Sequence, residues 1–166
     1  MKYIYIGKIV NTHALKGELK LLSDFKYKDR VFKKNFNIYI GKNKIKETIT
    51  NYRHHKVFDM ICLEGYTNIN EVLKYKGEKA YVLKEDISLN ENEYLDEDLI
   101  GLEVYQKDSL IGSVKRIDKY KANDIIVVKG KNKDYLVPYI DEFIKKIDLN
   151  HKKIIINDIK GLIEWS

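Results

Sequence analysis

Short segments in which apolar and polar residues alternate dominate this sequence, and they restrict it to a mainly β fold. Such alternation places apolar side chains on one face of a strand and polar side chains on the other. Turns rich in Gly, Asn, Asp or Lys separate the segments at intervals of roughly 8 to 12 residues, a spacing typical of small barrels or sandwiches. The first half contains KYIYIGKIV, ELKLL, FNIYIG, KETITNYR, VFDMICLEG and KAYVL, and the second contains LIGLEVYQ, LIGSVKRID, DIIVVKG, DYLVPYI and KKIIIND.

One segment, YTNINEVLKYKGEK, has the pattern of a helix instead. Asn68 is placed to cap the helix, and Glu71 at the third helical position can reach back to the capping residue. Gly77 is suited to end the helix. The apolar face would consist of Ile69, Val72 and Leu73.

Charge divides the chain into two unlike halves. Lys and Arg outnumber Asp and Glu by 18 to 9 in residues 1–85, whereas acidic residues outnumber basic ones by 16 to 13 in residues 86–166. A basic half suits a polyanion such as nucleic acid, and an acidic half suits a basic protein. A lysine-rich composition that follows from AT-biased codons explains the basic charge equally well.

The segment EDISLNENEYLDED, residues 85–98, contains seven acidic residues and no basic one. Its composition suits an exposed linker or a plain solvated connector. We therefore predict a first domain over residues 1–84, an acidic linker over residues 85–98 and a second domain over residues 99–166.

The sequence shows no sign of export or membrane insertion. No apolar run approaches the roughly 20 residues that a membrane helix needs, and residues 1–10 are too short for a signal peptide. The single cysteine, Cys62, lies in an apolar run and is expected to be a buried core thiol. These features predict a cytoplasmic protein.

Residues for catalysis are few. Only four histidines are present, and the adjacent His54 and His55 would point to opposite faces of a strand, which makes them a poor metal pair. No Walker loop, dinucleotide fingerprint, GxSxG or HExxH motif occurs. A binding protein without cofactor or metal is favoured, and an RNA-processing enzyme that uses His13, His54 or His55 as acid and base is an alternative.

The stretch NTHALKGELKL is a candidate phosphate-binding loop. Gly17 can adopt a positive φ angle, Lys16 offers a charge, and the amides of a tight loop can bind an anion. A structural turn between two strands fits the same residues equally well.

Eight motifs, in the same order, resemble the RimM family of bacterial ribosome maturation factors. They are IGKIVNTHALKGELKLLSDF, ITNYRHH, NINEVLKYKGEKAYV, NEYLDEDLIG, IGSVKRI, NDIIVVKG, YLVPYIDEFIKKID and IKGLIE, and they extend over nearly the whole chain. The resemblance implies two small β-barrels, an N-terminal translation-factor-like barrel and a C-terminal PRC barrel, joined by the short acidic linker. It also implies a non-enzymatic chaperone that binds ribosomal protein S19 and nearby 16S rRNA during maturation of the small-subunit head.

The resemblance assigns roles to particular residues. The family's glycine-rich loop corresponds to His13, Lys16, Gly17 and Glu18, and its linker signature to Tyr94, Asp98, Leu99, Ile100 and Gly101. In two places the chain departs from the family: Ala14 replaces a common glycine, which lessens the need for special backbone freedom there, and Leu95 replaces the second tyrosine of a Tyr-Tyr pair.

Together, charge and resemblance give two sets of candidate contacts. The RNA-binding candidates are His13, Lys16, Gly17, Lys20, Arg30 and Arg53, with Lys8, Lys26 and Lys28 as further phosphate contacts. The candidates for the ribosomal protein are Glu93, Tyr94, Leu95, Asp96, Glu97, Asp98 and Leu99. We expect a monomer, and the alternative function is that of a barrel-type RNA-binding regulator without a ribosomal-protein partner.

Overall fold

The computed structural model describes residues 1–14, 17–158 and 160, and the chain divides into two compact units, Met1–Leu89 and Asn90–Ser166. Strands are the predominant secondary structure in both units, so the predicted mainly β fold is confirmed. Lys16 lies outside the described residues, as does Trp165. The assignment of residues 85–98 to a linker stays a prediction.

The first unit is a closed six-stranded barrel in the order β1-β2-β5-β4-β3-β6, with every neighbouring pair antiparallel. Alternation along each strand puts Ile, Leu and Val side chains inside and leaves most charged and tyrosine side chains outside, with Asp59 on β5 as a buried exception. The strands are β1 (Tyr3–His13), β2 (Glu18–Leu22), β3 (Asn37–Ile40), β4 (Ile45–His55), β5 (Phe58–Leu63) and β6 (Lys79–Leu83).

The predicted helix forms, but it is short. Helix α1 (Ile69–Val72) begins with the predicted capping box between Asn68 and Glu71, and a 3₁₀ turn over Leu73–Tyr75 follows it. The prediction that Leu73 belongs to the apolar face is wrong, since Leu73 is 49% exposed. Val72 is buried as predicted, and Tyr75 is buried in place of Leu73, because residues three apart share a face in a 3₁₀ turn.

Cys62 is half-buried, so the prediction of a buried core thiol is wrong. Its neighbours Ile61 and Leu63 point into the barrel. Since successive side chains of a strand face opposite sides, Cys62 lies on the outer face of β5.

A buried carboxylate closes one end of the first barrel. Asp59 on β5 has no exposed surface, yet it accepts a hydrogen bond from the Tyr52 hydroxyl at 2.6 Å and pairs with the Lys28 ammonium at 2.8 Å. The Phe32 ring stacks on Tyr52 at 5.7 Å between centroids. Burial and the adjacent Asp59 raise the pKa of Tyr52, so its hydroxyl stays a donor. Asp59 thereby anchors the segment that contains Lys28 and Phe32 to the barrel.

The second unit is a six-stranded sheet in the order β10-β9-β8-β7-β12-β11. Helix α2 (Asp96–Leu99) precedes the strands, and the only parallel pairing among the described strands joins β12 to β7. The strands are β7 (Glu103–Gln106), β8 (Ser109–Asp118), β9 (Ile125–Lys129), β10 (Asp134–Pro138), β11 (Ile144–Asp148) and β12 (Lys153–Ile156).

One core serves the whole second sheet. Val137 on the edge strand β10 belongs to the same buried cluster as Ile154 on β12, and Ile147 on the other edge strand, β11, packs against it. Because both edges reach one cluster, the sheet curves around that core. In the predicted strand LIGLEVYQ, residues 99–101 instead form the end of α2 and a turn, with Gly101 at φ +86°.

Asp59→Ala should destabilise the first unit by about 3 kcal/mol, because it leaves the hydroxyl of half-buried Tyr52 and the Lys28 ammonium without their acceptor. Amide hydrogen exchange measures this loss separately for β1 to β6 and for the second unit, which should not change. Asp29→Ala, at a carboxylate that is 77% exposed, is the control and should leave protection unchanged. A loss below about 1 kcal/mol for Asp59→Ala would contradict the anchoring role.

Candidate functional site

Side chains from three strands form a polar surface beside the β1–β2 turn. His13 is paired with Glu18 in the β1–β2 ladder, while Lys20 on β2 and Arg53 on β4 are both paired with Met60 of the intervening strand β5. We call this the hairpin surface, defined by His13, Glu18, Lys20, Arg53 and His55. It brings together three of the six RNA-binding candidates, and a fourth, Gly17, lies in the adjoining turn.

An ion pair organises the hairpin surface. The Arg53 guanidinium donates two hydrogen bonds to the Glu18 carboxylate, at 2.7 and 2.9 Å, and the Arg53 side chain remains 48% exposed. The bond from Arg53 lowers the pKa of Glu18, and the same bond raises the pKa of Arg53. A guanidinium has five N–H donors, so Arg53 retains donors for an outside acceptor while Glu18 holds it in place.

The two histidines of the pair HH face different environments, as strand alternation requires. The His55 ring stacks with that of His13 at 6.4 Å between centroids, whereas His54 Nδ1 lies 3.4 Å from the Asp59 carboxylate. Burial lowers the pKa of His55, and the neighbouring positive charges, of which Arg53 is the strongest, lower it further. His55 is therefore largely neutral at pH 7 and contributes a ring to the surface rather than a charge.

Ala14 and Gly17, the described residues on either side of the turn's centre, both have left-handed backbone conformations. Gly17 has φ +81°, and a Cβ there would lie 2.8 Å from the Asn68 carbonyl oxygen, so a side chain would clash with the start of α1. Ala14 has φ +61°, so this position does adopt a backbone conformation that favours glycine, and the interpretation that its alanine lessens that need is wrong. An L-residue is strained in this conformation, which explains why glycine suits the position.

The positively charged candidates Lys20, Arg30 and Lys28 make different contacts within the first unit. The Lys20 ammonium lies 4.6 Å from the centre of the Phe58 ring, on the hairpin surface. Arg30 is not part of that surface, because it donates to the Ser88 carbonyl at 3.0 Å and lies over the Tyr27 ring. Lys28 neutralises Asp59 and so stabilises the fold.

The acidic segment contributes both core and surface to the second unit. Leu95 is 4% exposed and Leu99 is fully buried, so neither offers side-chain surface to a partner. Tyr94 packs against the core, and its hydroxyl donates to the Ile147 carbonyl at 3.3 Å. Of the acidic candidates here, Glu97 is exposed and Asp98 is half-buried.

Lys119, which the sequence did not single out, connects α2 to the loop after β8. Its ammonium pairs with Asp96 and lies 3.1 Å from Asp124. Burial opposes the charge on Lys119, but the two carboxylates outweigh burial and raise its pKa. Asp96 is thus occupied within the unit, and Glu93 likewise accepts a bond from the Asn90 amide at 2.7 Å. Because Lys119 is distant in sequence from Asp96, no local sequence pattern indicated that the two residues form an ion pair.

Within the described ranges, no group of three or more His, Cys, Asp or Glu residues is placed to hold a metal ion. Over the same ranges, none of the helices has the length and apolar character to cross a membrane.

Comparisons with known proteins identify both units. The family model described as RimM N-terminal domain matches residues 4–87, and that described as RimM PRC barrel domain matches residues 96–162. The ribosome maturation factor RimM of an Exiguobacterium species is 39% identical, over 99% of this chain and 98% of that protein. That of Staphylococcus haemolyticus is 42% identical, over 97% and 99%. The solution structure of the RimM N-terminal domain from Thermus thermophilus gives a TM-score of 0.46 at 18% identity, over 54% of this chain and 98% of that one.

Proposed function

This chain belongs to the RimM family of ribosome maturation factors, and from that membership we propose that it is an assembly chaperone of the small ribosomal subunit. It binds ribosomal protein S19 and nearby 16S rRNA and thereby promotes maturation of the subunit head. The observation that carries this proposal is the match of both units to the same family's two domain models. The action is binding, with no covalent step.

The first unit is the RNA-binding part. Its basic excess and the hairpin surface support this assignment, because Lys20 and Arg53 flank Met60 from the two strands beside β5 and share one barrel face. Phosphate contacts of this kind set affinity and orientation without reading the base sequence. Glu18 keeps Arg53 pointing along the surface, so that a phosphate finds an oriented guanidinium.

The second unit is the part that contacts ribosomal protein S19. Buried Leu99 fixes α2 to the core, and the ion pair of Asp96 with Lys119 holds the helix as well. Glu97 is then presented on a rigid support. A basic ribosomal protein would be attracted to such acids, and charge complementarity of this type governs association rate and orientation.

The proposed mechanism is a shift of population. An immature subunit head samples several arrangements. A saturating factor that binds one of them more tightly than another multiplies the population ratio of the two arrangements by the ratio of its two affinities. A preference of about 1.4 kcal/mol changes that ratio tenfold. Neither a cofactor nor a metal is needed for this action.

Replacing Lys16 and Lys20 by Gln should weaken binding to a fragment of 16S rRNA from the subunit head. The slope of log affinity against log salt should fall by roughly 0.7 to 0.9 for each phosphate that the variant no longer neutralises. Lys145→Gln, at an exposed lysine of the second unit, is the matched control. An unchanged slope in the double variant would remove the hairpin surface from the RNA interface.

Glu97→Lys should weaken binding to isolated ribosomal protein S19 by roughly three- to tenfold in a calorimetric titration, since it reverses a charge on α2. Asp108→Lys makes the same charge change at another exposed acid of the second unit and should have less effect. Equal losses in both variants would mean that only net charge matters and would count against a contact at α2. Tyr94→Ala is a less selective test, because Tyr94 also packs against the core.

A further inference from the structure

A row of tyrosines crosses the outer face of the first barrel, away from the hairpin surface. Tyr5 on β1 is paired with Tyr81 on β6, and Tyr81 is paired in turn with Tyr39 on β3. Lys46 on β4 continues the row, opposite Tyr39. Directly paired residues of neighbouring strands point to the same face, so these side chains form one line across four strands. We call this line, with the adjacent Tyr3, the tyrosine row.

The rings of the tyrosine row support each other and leave one ring projecting. Tyr5 and Tyr81 make an edge-to-face contact at 5.9 Å, and Tyr3 and Tyr39 make another at 5.4 Å. Tyr39 is only 9% exposed and forms the floor, whereas Tyr5 is 46% exposed. A large ring held in place by neighbours loses little conformational entropy when a ligand stacks on it.

Positive charge lies directly on this aromatic surface. The Lys44 ammonium is 4.2 Å from the centre of the Tyr81 ring and 5.6 Å from that of Tyr3. Lys44 comes from the β3–β4 turn, where its φ of +53° places it in the left-handed region. Lys46 and Lys79 are exposed on neighbouring positions of the same face. Rings and ammonium groups are thus interleaved.

Acidic groups border the row and restrict where a phosphate can lie. The charge of Asp24 adds to burial in raising the pKa of the Tyr5 hydroxyl, and that of Asp86 does the same for the pKa of Tyr39. Both hydroxyls therefore remain neutral donors. A polyanion would pass along the side of Lys44 and Lys46, with its bases directed at the rings.

We propose that the tyrosine row is a stacking platform for unpaired nucleotides of RNA, with Tyr5 as the principal stacking ring and Lys44 and Lys46 as phosphate contacts. Aromatic rings interleaved with lysines are the arrangement that binds single-stranded nucleic acid, because every base has a π face and every nucleotide carries a phosphate. A purely apolar partner would leave these ammonium groups desolvated without a counter-charge. The inference rests on the proposed function in one respect, namely that the nucleic acid bound by the tyrosine row is RNA.

The test is a fluorescence anisotropy titration of the full chain with a labelled oligouridylate of about eight nucleotides, a length within the range for one small barrel. Tyr5→Ala should weaken binding by roughly tenfold, and Tyr5→Phe, which keeps the ring, should bind nearly as well as the unaltered chain. Tyr120→Ala is the matched control, since Tyr120 is 62% exposed on the second unit. Circular dichroism checks that each variant is folded.

Lys44→Gln provides a second variant that leaves all four rings in place. It should weaken binding a few-fold and reduce the salt slope by roughly 0.7, the value for one phosphate on a single strand. The proposal is overturned if either Tyr5→Ala or Lys44→Gln binds like the unaltered chain, or if Tyr5→Phe weakens binding as much as Tyr5→Ala, which would assign the effect to the hydroxyl.

Lys20→Gln separates this proposal from the wider one. If it weakens RNA binding while Tyr5→Ala does not, the stacking platform is refuted and the RNA-binding role of the first unit stands. If the unaltered chain binds neither the oligouridylate nor a 16S rRNA fragment, both are refuted.

Discussion

Closure of the backbone hydrogen-bond ladder around the first barrel decides which strand side chains of the first unit face its core and which face solvent. The pairing of β6 with β1 completes the circle, so each strand has one face inside and one outside. Inside positions are filled by residues such as Ile6 and Leu19, which are essentially unexposed. The outside positions are then free to differ around the barrel, and two unlike surfaces result, one of ion-paired charges near β2 and one of tyrosines near β6.

Several of the positive side chains are bound to acidic ones within the same unit. Glu18 holds Arg53, Asp59 holds Lys28, and Asp96 holds Lys119. The Asp59 pair contributes most to the fold, because its carboxylate is completely buried and would be costly without a partner. The count of lysines and arginines therefore overstates the number of charges available to a nucleic acid. What the pairs supply instead is orientation of the groups that remain exposed.

Much of this architecture could be predicted from the sequence, because strand alternation and helix capping are local signals. The strands from KYIYIGKIV to KAYVL form in chain order, and the capping box of Asn68 and Glu71 is present. Strand β11 had no such signal, since its central lysines interrupt the apolar pattern. The segment before β7 did have an apolar pattern, and it was wrongly predicted to belong to the strand. Its Leu99 belongs to the core, but it reaches the core from α2.

The candidate contacts were harder to predict, because their roles depend on residues distant in sequence. Whether Lys28 faces solvent or a buried carboxylate is decided by Asp59, and whether Asp96 is available is decided by Lys119. The tyrosine row needs the register of three strands that are not consecutive in the chain. Composition revealed many tyrosines, but only strand pairing showed that they lie in one line.

A chaperone that acts by population shift must distinguish an immature head from a finished one, since equal affinity for both would shift nothing. The most direct measurement is the affinity of the purified chain for immature small subunits and for mature ones, determined side by side under the same salt conditions. The account predicts binding to immature subunits that is at least about tenfold tighter. Equal affinity for the two, or tighter binding to mature subunits, would contradict it.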